Sequence, residues 1–410
     1  MTDFKETLSA RLSLVFSSIG HTCSHLFGPI FYIVALALEK YLNLSHGEVI
    51  MLVVAGNVLL GVAAPLAGWL GDRWSATGMM GVFFIGTGGA MILTGMASTP
   101  FTIGLWLAAT GLFASIYHPV GISWLVRHAV NRGMALGING IFGGIGPAVA
   151  ALSAGFLVDL WGWRAAFIVP GAVLVTTGLI FSGLCMRGVI IETKTDRRPE
   201  APASSGDRIR VFLVLAFTML STGIIYQATQ AGLPKVFSER VSDLTAGGGV
   251  LGVSALVAIV YFFAGGMQLI GGWLADRFPL KTVYIISYSL QIPFLFFAAG
   301  FSGAALVVVA MAMVAANVGS LPAENSLVAR YAPSRWRGLV FGLKFVVAFG
   351  IGALGVVMEG MLYDLTGGFY WLFTVLAVLA LLAALVGILL PNERPGSPLS
   401  KASHASQAAE

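Results

Sequence analysis

Gly68-Trp69-Leu70-Gly71-Asp72-Arg73 recurs 204 residues later as Gly272-Trp273-Leu274-Ala275-Asp276-Arg277. Each copy sets an acid–base pair directly behind a strongly apolar stretch. Two further segments return at nearly the same distance. Arg132-Gly133-Met134-Ala135-Leu136-Gly137 reappears as Arg337-Gly338-Leu339-Val340-Phe341-Gly342, and Gly155-Phe156-Leu157-Val158-Asp159-Leu160 as Gly360-Met361-Leu362-Tyr363-Asp364-Leu365. Pro29 has its counterpart in Pro234. A spacing near 205 divides the 410 residues into two like halves.

The repeats are set in apolar runs of about 20 residues or more, the length that carries a helix across a bilayer. Twelve such runs are expected, near residues 12–38, 48–70, 79–97, 101–126, 133–158, 163–186, 209–235, 250–274, 281–300, 303–329, 338–362 and 368–390. They are continuous rather than alternating, which excludes a β-barrel. Composition agrees. Hydrophobic residues make up 57% before the 52 glycines are added, and only 10% are charged. Soluble chains carry ~25% charged residues, so a cytosolic enzyme, a disordered regulator and a soluble nucleic-acid binder are excluded. The first run resembles a signal peptide at Ala35-Leu36-Ala37, but it is too long for one, and its match in the second half makes it a helix that is kept.

The stretch 187–208 is polar around Glu192 and Pro199 and reads as a linker between a half spanning 12–186 and a half spanning 209–390. The tail 391–410 reads as disordered. With both termini placed on the cytoplasmic side, eighteen of the 23 Lys and Arg fall on that side; Lys40, Arg164, Lys235 and Arg240 fall opposite, and Lys344 lies within a span. The positive-inside bias sets this orientation and explains the net charge of +5 without a nucleic-acid partner. Cys23 and Cys185 sit alone in apolar runs and read as packing residues.

The loop Gly68-Trp69-Leu70-Gly71-Asp72-Arg73 resembles the signature of the major facilitator superfamily, roughly Gly-x-Leu-Ala-Asp-Arg-x-Gly-Arg-Lys, and the superfamily shows its repetition too. Gly162-Trp163-Arg164 opening the sixth span is another frequent family feature. The resemblance covers residues 12 to 390 and implies an all-α membrane protein of twelve transmembrane helices in two six-helix repeats, working as a monomer. It makes Gly68, Asp72, Arg73, Gly272, Asp276 and Arg277 a conformational latch. Gly68 lets helices approach, and Asp72 faces Arg side chains and a helix N-terminus. Ser75, Ala76 and Thr77 replace the later Gly-Arg-Lys, which implies a weaker latch. More narrowly, Ser24-His25-Leu26, Ser115-Ile116-Tyr117-His118-Pro119 and the Gly-rich run Gly140 to Pro147 resemble the fosmidomycin-resistance branch, whose members are proton-driven exporters. The glycines ending in Gly146-Pro147 match the antiporter signature of the fifth span only in part.

Ionisable groups inside spans are expensive and therefore functional candidates. His21 and His25 share one helix face; their repeat partners are Tyr226 and Gln230. In the superfamily fold spans one, four, seven and ten line the central cavity, so the resemblance sets these four across it; the alternative is that His21 and His25 are satisfied packing histidines. His118 stands before the kinking Pro119, where it either meets solute or proton or bonds the freed backbone. Asn317 and Glu324, seven apart, share a face of the tenth span. A carboxylate withdrawn from water can take up and release a proton, unless Glu324 serves a cytoplasmic gate. Lys344, with Asn139 as repeat partner, needs an anion or a carboxylate such as Glu324, or snorkels to the interface. Glu359 and Asp364 read as outer-surface or gate charges.

No phosphate loop, nucleophile elbow or zinc signature is present, so no cofactor, metal or enzymatic activity is expected. The expectation is a secondary transporter whose halves rock about a midplane site, exporting a small anionic solute against protons. It resides in a plasma membrane, the inner one in a Gram-negative source. An organic-acid importer or uniporter, and a transporter-like sensor or scaffold, remain alternatives.

Overall fold

The computed structural model describes residues 2–129, 132–192, 208–245, 247–332 and 337–392. Most of the expected linker, residues 193–207, and most of the expected tail, 393–410, lie outside the described residues, as do the side chains of Arg132, Gly133, Arg337 and Gly338.

Among the described residues eleven helices are long and apolar enough to cross a membrane, and twelve spans result when a bent pair is counted as one. In order they are Thr7–Leu42, His46–Val62 with Ala64–Arg73, Ala76–Met96, Pro100–His128, Met134–Trp161, Ala165–Met186, Ile209–Arg240, Gly249–Arg277, Leu280–Gly300, Gly303–Tyr331, Leu339–Thr366 and Tyr370–Gly387. The chain is a multi-pass membrane protein. Large apolar side chains such as Leu213, Phe262 and Val308 stay exposed on its flanks, because lipid tails, not water, surround them.

Packing follows the repeat. The third span lies on the sixth as the ninth lies on the twelfth. The halves meet along two seams, fifth span against eighth and second against eleventh. Small residues set how close helices come. A Cβ on Gly111 of the fourth span would strike the backbone carbonyl of Gly56 in the second. Gly140, by contrast, has open space where its Cβ would be. Gly111→Ala is expected to cost about 1–3 kcal/mol by overpacking, and Gly140→Ala to be neutral or slightly stabilising. Thermal unfolding in detergent checks both, and equal midpoints for the two variants would contradict this packing.

Several spans are not plain α-helices. The first breaks after Ser24 and resumes at Phe27, with His25 in the gap. The fourth passes through a π-helical turn, Tyr117–Gly121. The tenth breaks at Ser320, and the eleventh contains a π turn, Val346–Gly350. Pro119 accounts for the fourth-span distortion, since it removes one i→i−4 bond. At the first-span break the backbone tightens instead: His25 donates to the Thr22 carbonyl at 3.1 Å, and the Ser24 hydroxyl caps the His21 carbonyl at 2.8 Å. Broken helices and π turns in membrane proteins collect where a cavity or ligand satisfies the freed backbone.

Candidate functional site

Three histidines from two distorted helices come together. His21 and His25 flank the first-span break, and His118 occupies the fourth-span π turn. Their rings stand 5.2 to 5.4 Å apart. Each offers a nitrogen, and these atoms lie within 4.8 Å of one another. His21 Nδ1 donates to the Asn139 carbonyl at 2.8 Å, which fixes its tautomer and leaves Nε2 free to accept. The Asn139 amide in turn donates to Tyr117 Oη at 2.8 Å and to Ser17 Oγ at 3.1 Å. Tyr117 stacks on His21 with centroids 5.1 Å apart and donates to the Ser17 carbonyl at 2.7 Å. Asn139 therefore anchors one wall of the cluster.

The fifth-span glycines make room for it. A Cβ on Gly143 would overlap the His21 ring, and one on Gly146 would come within 2.9 Å of His25 Cβ. From the other half, Phe345 and Phe349 of the eleventh span stack on His118 at 4.8 and 6.1 Å.

Next to Phe345, Lys344 points into a second polar cluster. Its Nζ lies 2.7 Å from Glu324 and 2.5 Å from Asn325 Oδ1. Glu324 also accepts from Tyr284 Oη at 2.9 Å. Tyr284 sits 2.8 Å from Thr218 Oγ1, Tyr288 donates to the Thr218 carbonyl at 2.6 Å, and Thr222 pairs with Tyr288. Asn317 donates to Gln291 at 3.0 Å, so Asn317 and Glu324 both face the ninth span. Both members of the ion pair are buried, Glu324 at 1% and Lys344 at 7% exposure, where a broken pair would be costly. Tyr226 and Gln230 bond each other at 2.8 Å, and Tyr226 meets Tyr261 edge-on. Among the described residues no hydrogen bond or ring contact joins them to His21 or His25.

A third polar group closes the face opposite the termini. His46 lies between two carboxylates, 2.8 Å from Glu39 of the first span and 2.8 Å from Glu359 of the eleventh. Lys235 of the seventh span reaches Glu39 at 2.6 Å. Asp364 accepts from Ser45 Oγ at 2.6 Å and from the Gly47 amide at 3.0 Å, capping the second span. Its repeat mate Asp159 accepts from the amides of Val250 and Leu251 at 3.0 and 2.8 Å, capping the eighth. Each carboxylate suits the positive end of the other half's helix. Glu39 and His46 were not singled out from sequence, Lys235 was read only as a charge on this side, and Asp159 was visible only as the repeat mate of Asp364.

At the opposite face the signature loops are open. Asp72 is exposed and lies 3.6 Å from Arg127 of the fourth span. Arg73 and Arg277 rest on Trp69 and Trp273, at 5.8 and 4.5 Å from the ring centres. A Cβ on Gly68 would meet Pro119 at 3.1 Å, while Gly272 has open space. Asp276 lies on the last turn of the eighth span, opposite Asp72 in the repeat. The departure at Ser75, Ala76 and Thr77 has a structural use. These residues receive the Glu192 carboxylate, at 2.5 Å from Ser75 Oγ and 2.7 Å from the Ala76 amide, on the N-terminus of the third span.

The sequence profile of the Major Facilitator Superfamily matches residues 15–267 and 242–409. The chain belongs to this superfamily. Members are transporters, not enzymes, and this superfamily chain accordingly has a small-molecule substrate. It is 26% identical to monocarboxylate transporter 11 of Mus musculus, over 81% of this chain and 76% of that one. It is 21% identical to the fosmidomycin resistance protein of Escherichia coli over 92% of each chain. A shorter match, 29% identical, to the puromycin resistance protein pur8 of Streptomyces alboniger covers 37% of this chain and 31% of that protein. The fold is shared with a bacterial homolog to the human lysosomal transporter Spinster in an inward-facing conformation. That likeness has a TM-score of 0.75 at 15% identity and covers 95% of this chain and 99% of the other.

Proposed function

We propose that this superfamily member is a proton-coupled secondary transporter that exports a small organic anion by alternating access, acting as a monomer in the plasma membrane with both termini cytoplasmic. The observation that carries the reading is the buried Lys344–Glu324 pair. Lys344 supplies the positive charge that an anionic solute needs inside the bilayer. When Lys344 turns to the solute, Glu324 loses its counter-charge and holds a proton instead, with Tyr284 keeping the carboxyl in place. Anion binding at Lys344 and proton binding at Glu324 are then linked, so one anion and one proton are held together at a single pair, which is a minimal coupling device. His21, His25 and His118 form the facing wall, and Asn139 positions it. The cationic loops support the orientation. The monocarboxylate and antibiotic-resistance names of the relatives support an organic acid and export.

A thermal-shift panel of organic acids, phosphonates, sugars and cations at two pH values tests the solute class. A ligand specific for the folded state raises the midpoint with concentration. An anion whose shift grows as pH changes, and vanishes in Lys344→Ala, is the expected result. A hit confined to cations or sugars would overturn the anion assignment.

A further inference from the structure

We propose that His21, His25 and His118 form a binding site for a divalent transition-metal ion of the zinc, nickel and copper group. Three features support it. The donor set is three imidazoles with no carboxylate or thiolate among the ligating group of the described residues. Imidazole nitrogen suits zinc, copper and nickel and disfavours the hard cations calcium and magnesium. The His21 ring is held the way a metal-ligating histidine is held, with Nδ1–H on a backbone carbonyl and Nε2 turned free. The side chains of His25 and His118 show ring contacts and no hydrogen bond among the described residues, so their ring nitrogens have no competing partner there.

The geometry is open by a small margin. Ligands at ~2.0–2.1 Å from a tetrahedral zinc stand a little over 3 Å apart, whereas these nitrogens lie within 4.8 Å. Metal binding requires the two rings without a hydrogen bond, His25 and His118, to turn and close that gap. All three ligands belong to one half of the chain, so the site travels as a unit when the halves rock. Three protein ligands leave a fourth position free for water or an anion. The ion is therefore either cargo, alone or chelated by an organic acid, or a fixed centre that receives the anion. This goes beyond coupling at Lys344 and Glu324 and uses neither residue.

The test is direct binding to tag-free, chelator-stripped protein in detergent, without gradient or solute. Zinc is titrated by calorimetry and cobalt by its visible d–d bands. One ion per chain and a cobalt spectrum of tetrahedral type are expected. His21→Ala, His25→Ala and His118→Ala should each weaken binding by at least the ~10–100-fold that losing even an outer-shell partner costs. Gly143→Ala should also weaken it by displacing His21. Glu324→Gln and His46→Ala should leave it unchanged, which separates this site from the proton pair and from the opposite face. Absence of stoichiometric binding overturns the proposal, as does an affinity that survives the triple histidine substitution. Proteoliposomes loaded with a metal indicator then distinguish the sources. Metal flux identifies cargo; retained metal that tightens organic-acid binding identifies a fixed centre. Failure of pH-linked transport with intact metal binding would overturn the coupling reading and leave the metal site standing.

Discussion

Lys344→Ala is expected to abolish gradient-driven solute movement and to lower stability by about 3–5 kcal/mol, the cost of leaving a buried charge without its partner. Glu324 is almost fully buried and, among the described residues, retains Tyr284 as its charge-neutral side-chain donor in this variant. Removing both members should be far milder. Lys344→Met combined with Glu324→Leu replaces two desolvated charges with apolar groups of similar size, which is often neutral or stabilising. The double variant should fold as well as the wild type and transport nothing. Glu324→Gln keeps the shape and the Tyr284 contact. It should bind the anion yet lose the dependence of that binding on pH. Chemical denaturation for stability and counterflow in proteoliposomes for transport give the two readouts. A double variant no more stable than Lys344→Ala would show that the pair is not energetically coupled.

The second large effect is expected at the other face. His46→Ala strips Glu359 of its contact across the seam between the halves while the carboxylate stays fully buried. One oxygen of Glu359 already lacks a hydrogen-bond partner among the described residues. The closed arrangement should lose about 3 kcal/mol or more, on the scale for breaking a buried pair. Since ~1.4 kcal/mol is a tenfold change, the ratio of closed to open forms falls more than ~100-fold. Hydrogen exchange at the ends of the first, second, seventh and eleventh spans near Glu39, His46, Lys235 and Glu359 should quicken accordingly. Asp159→Ala is expected to do less, about 0.5–2 kcal/mol, because it removes a helix cap whose amides can turn to water. Unchanged exchange in His46→Ala would mean that this contact does not hold the face shut.

The spans were legible because crossing a bilayer imposes one length and one polarity on every helix. The fold followed from the repeat, since two like halves with the same loop motif leave few arrangements. The interruptions were legible only in part. Pro119 announced the fourth-span distortion, and Pro29, four residues beyond His25, lacks the N–H that would bond the His25 carbonyl; the serine cap and the two tightened turns at that break had no signal of their own. The assembly of three imidazoles was not foreseen, because His118 is some ninety residues from His25 and helix register alone does not say that its ring meets those of His21 and His25. Lys344 had several open partners in the sequence, and tertiary packing put Glu324 beside it. Glu192 lay in a stretch without periodicity, so its seat on the third span had no local signal.

The paired caps of Asp159 and Asp364 have a consequence for ancestry. Each arises from the fifth helix of its own half and is received by the second helix of the other. Contacts exchanged reciprocally in this way are isologous, the kind that a two-fold symmetric homodimer makes. A single six-helix chain carrying this one aspartate would form both contacts on meeting a copy of itself. Fusion of two such chains would inherit a closed outer rim at once. The later divergence of histidines into one half and a lysine–glutamate pair into the other would then be specialisation inside a frame that was already self-complementary.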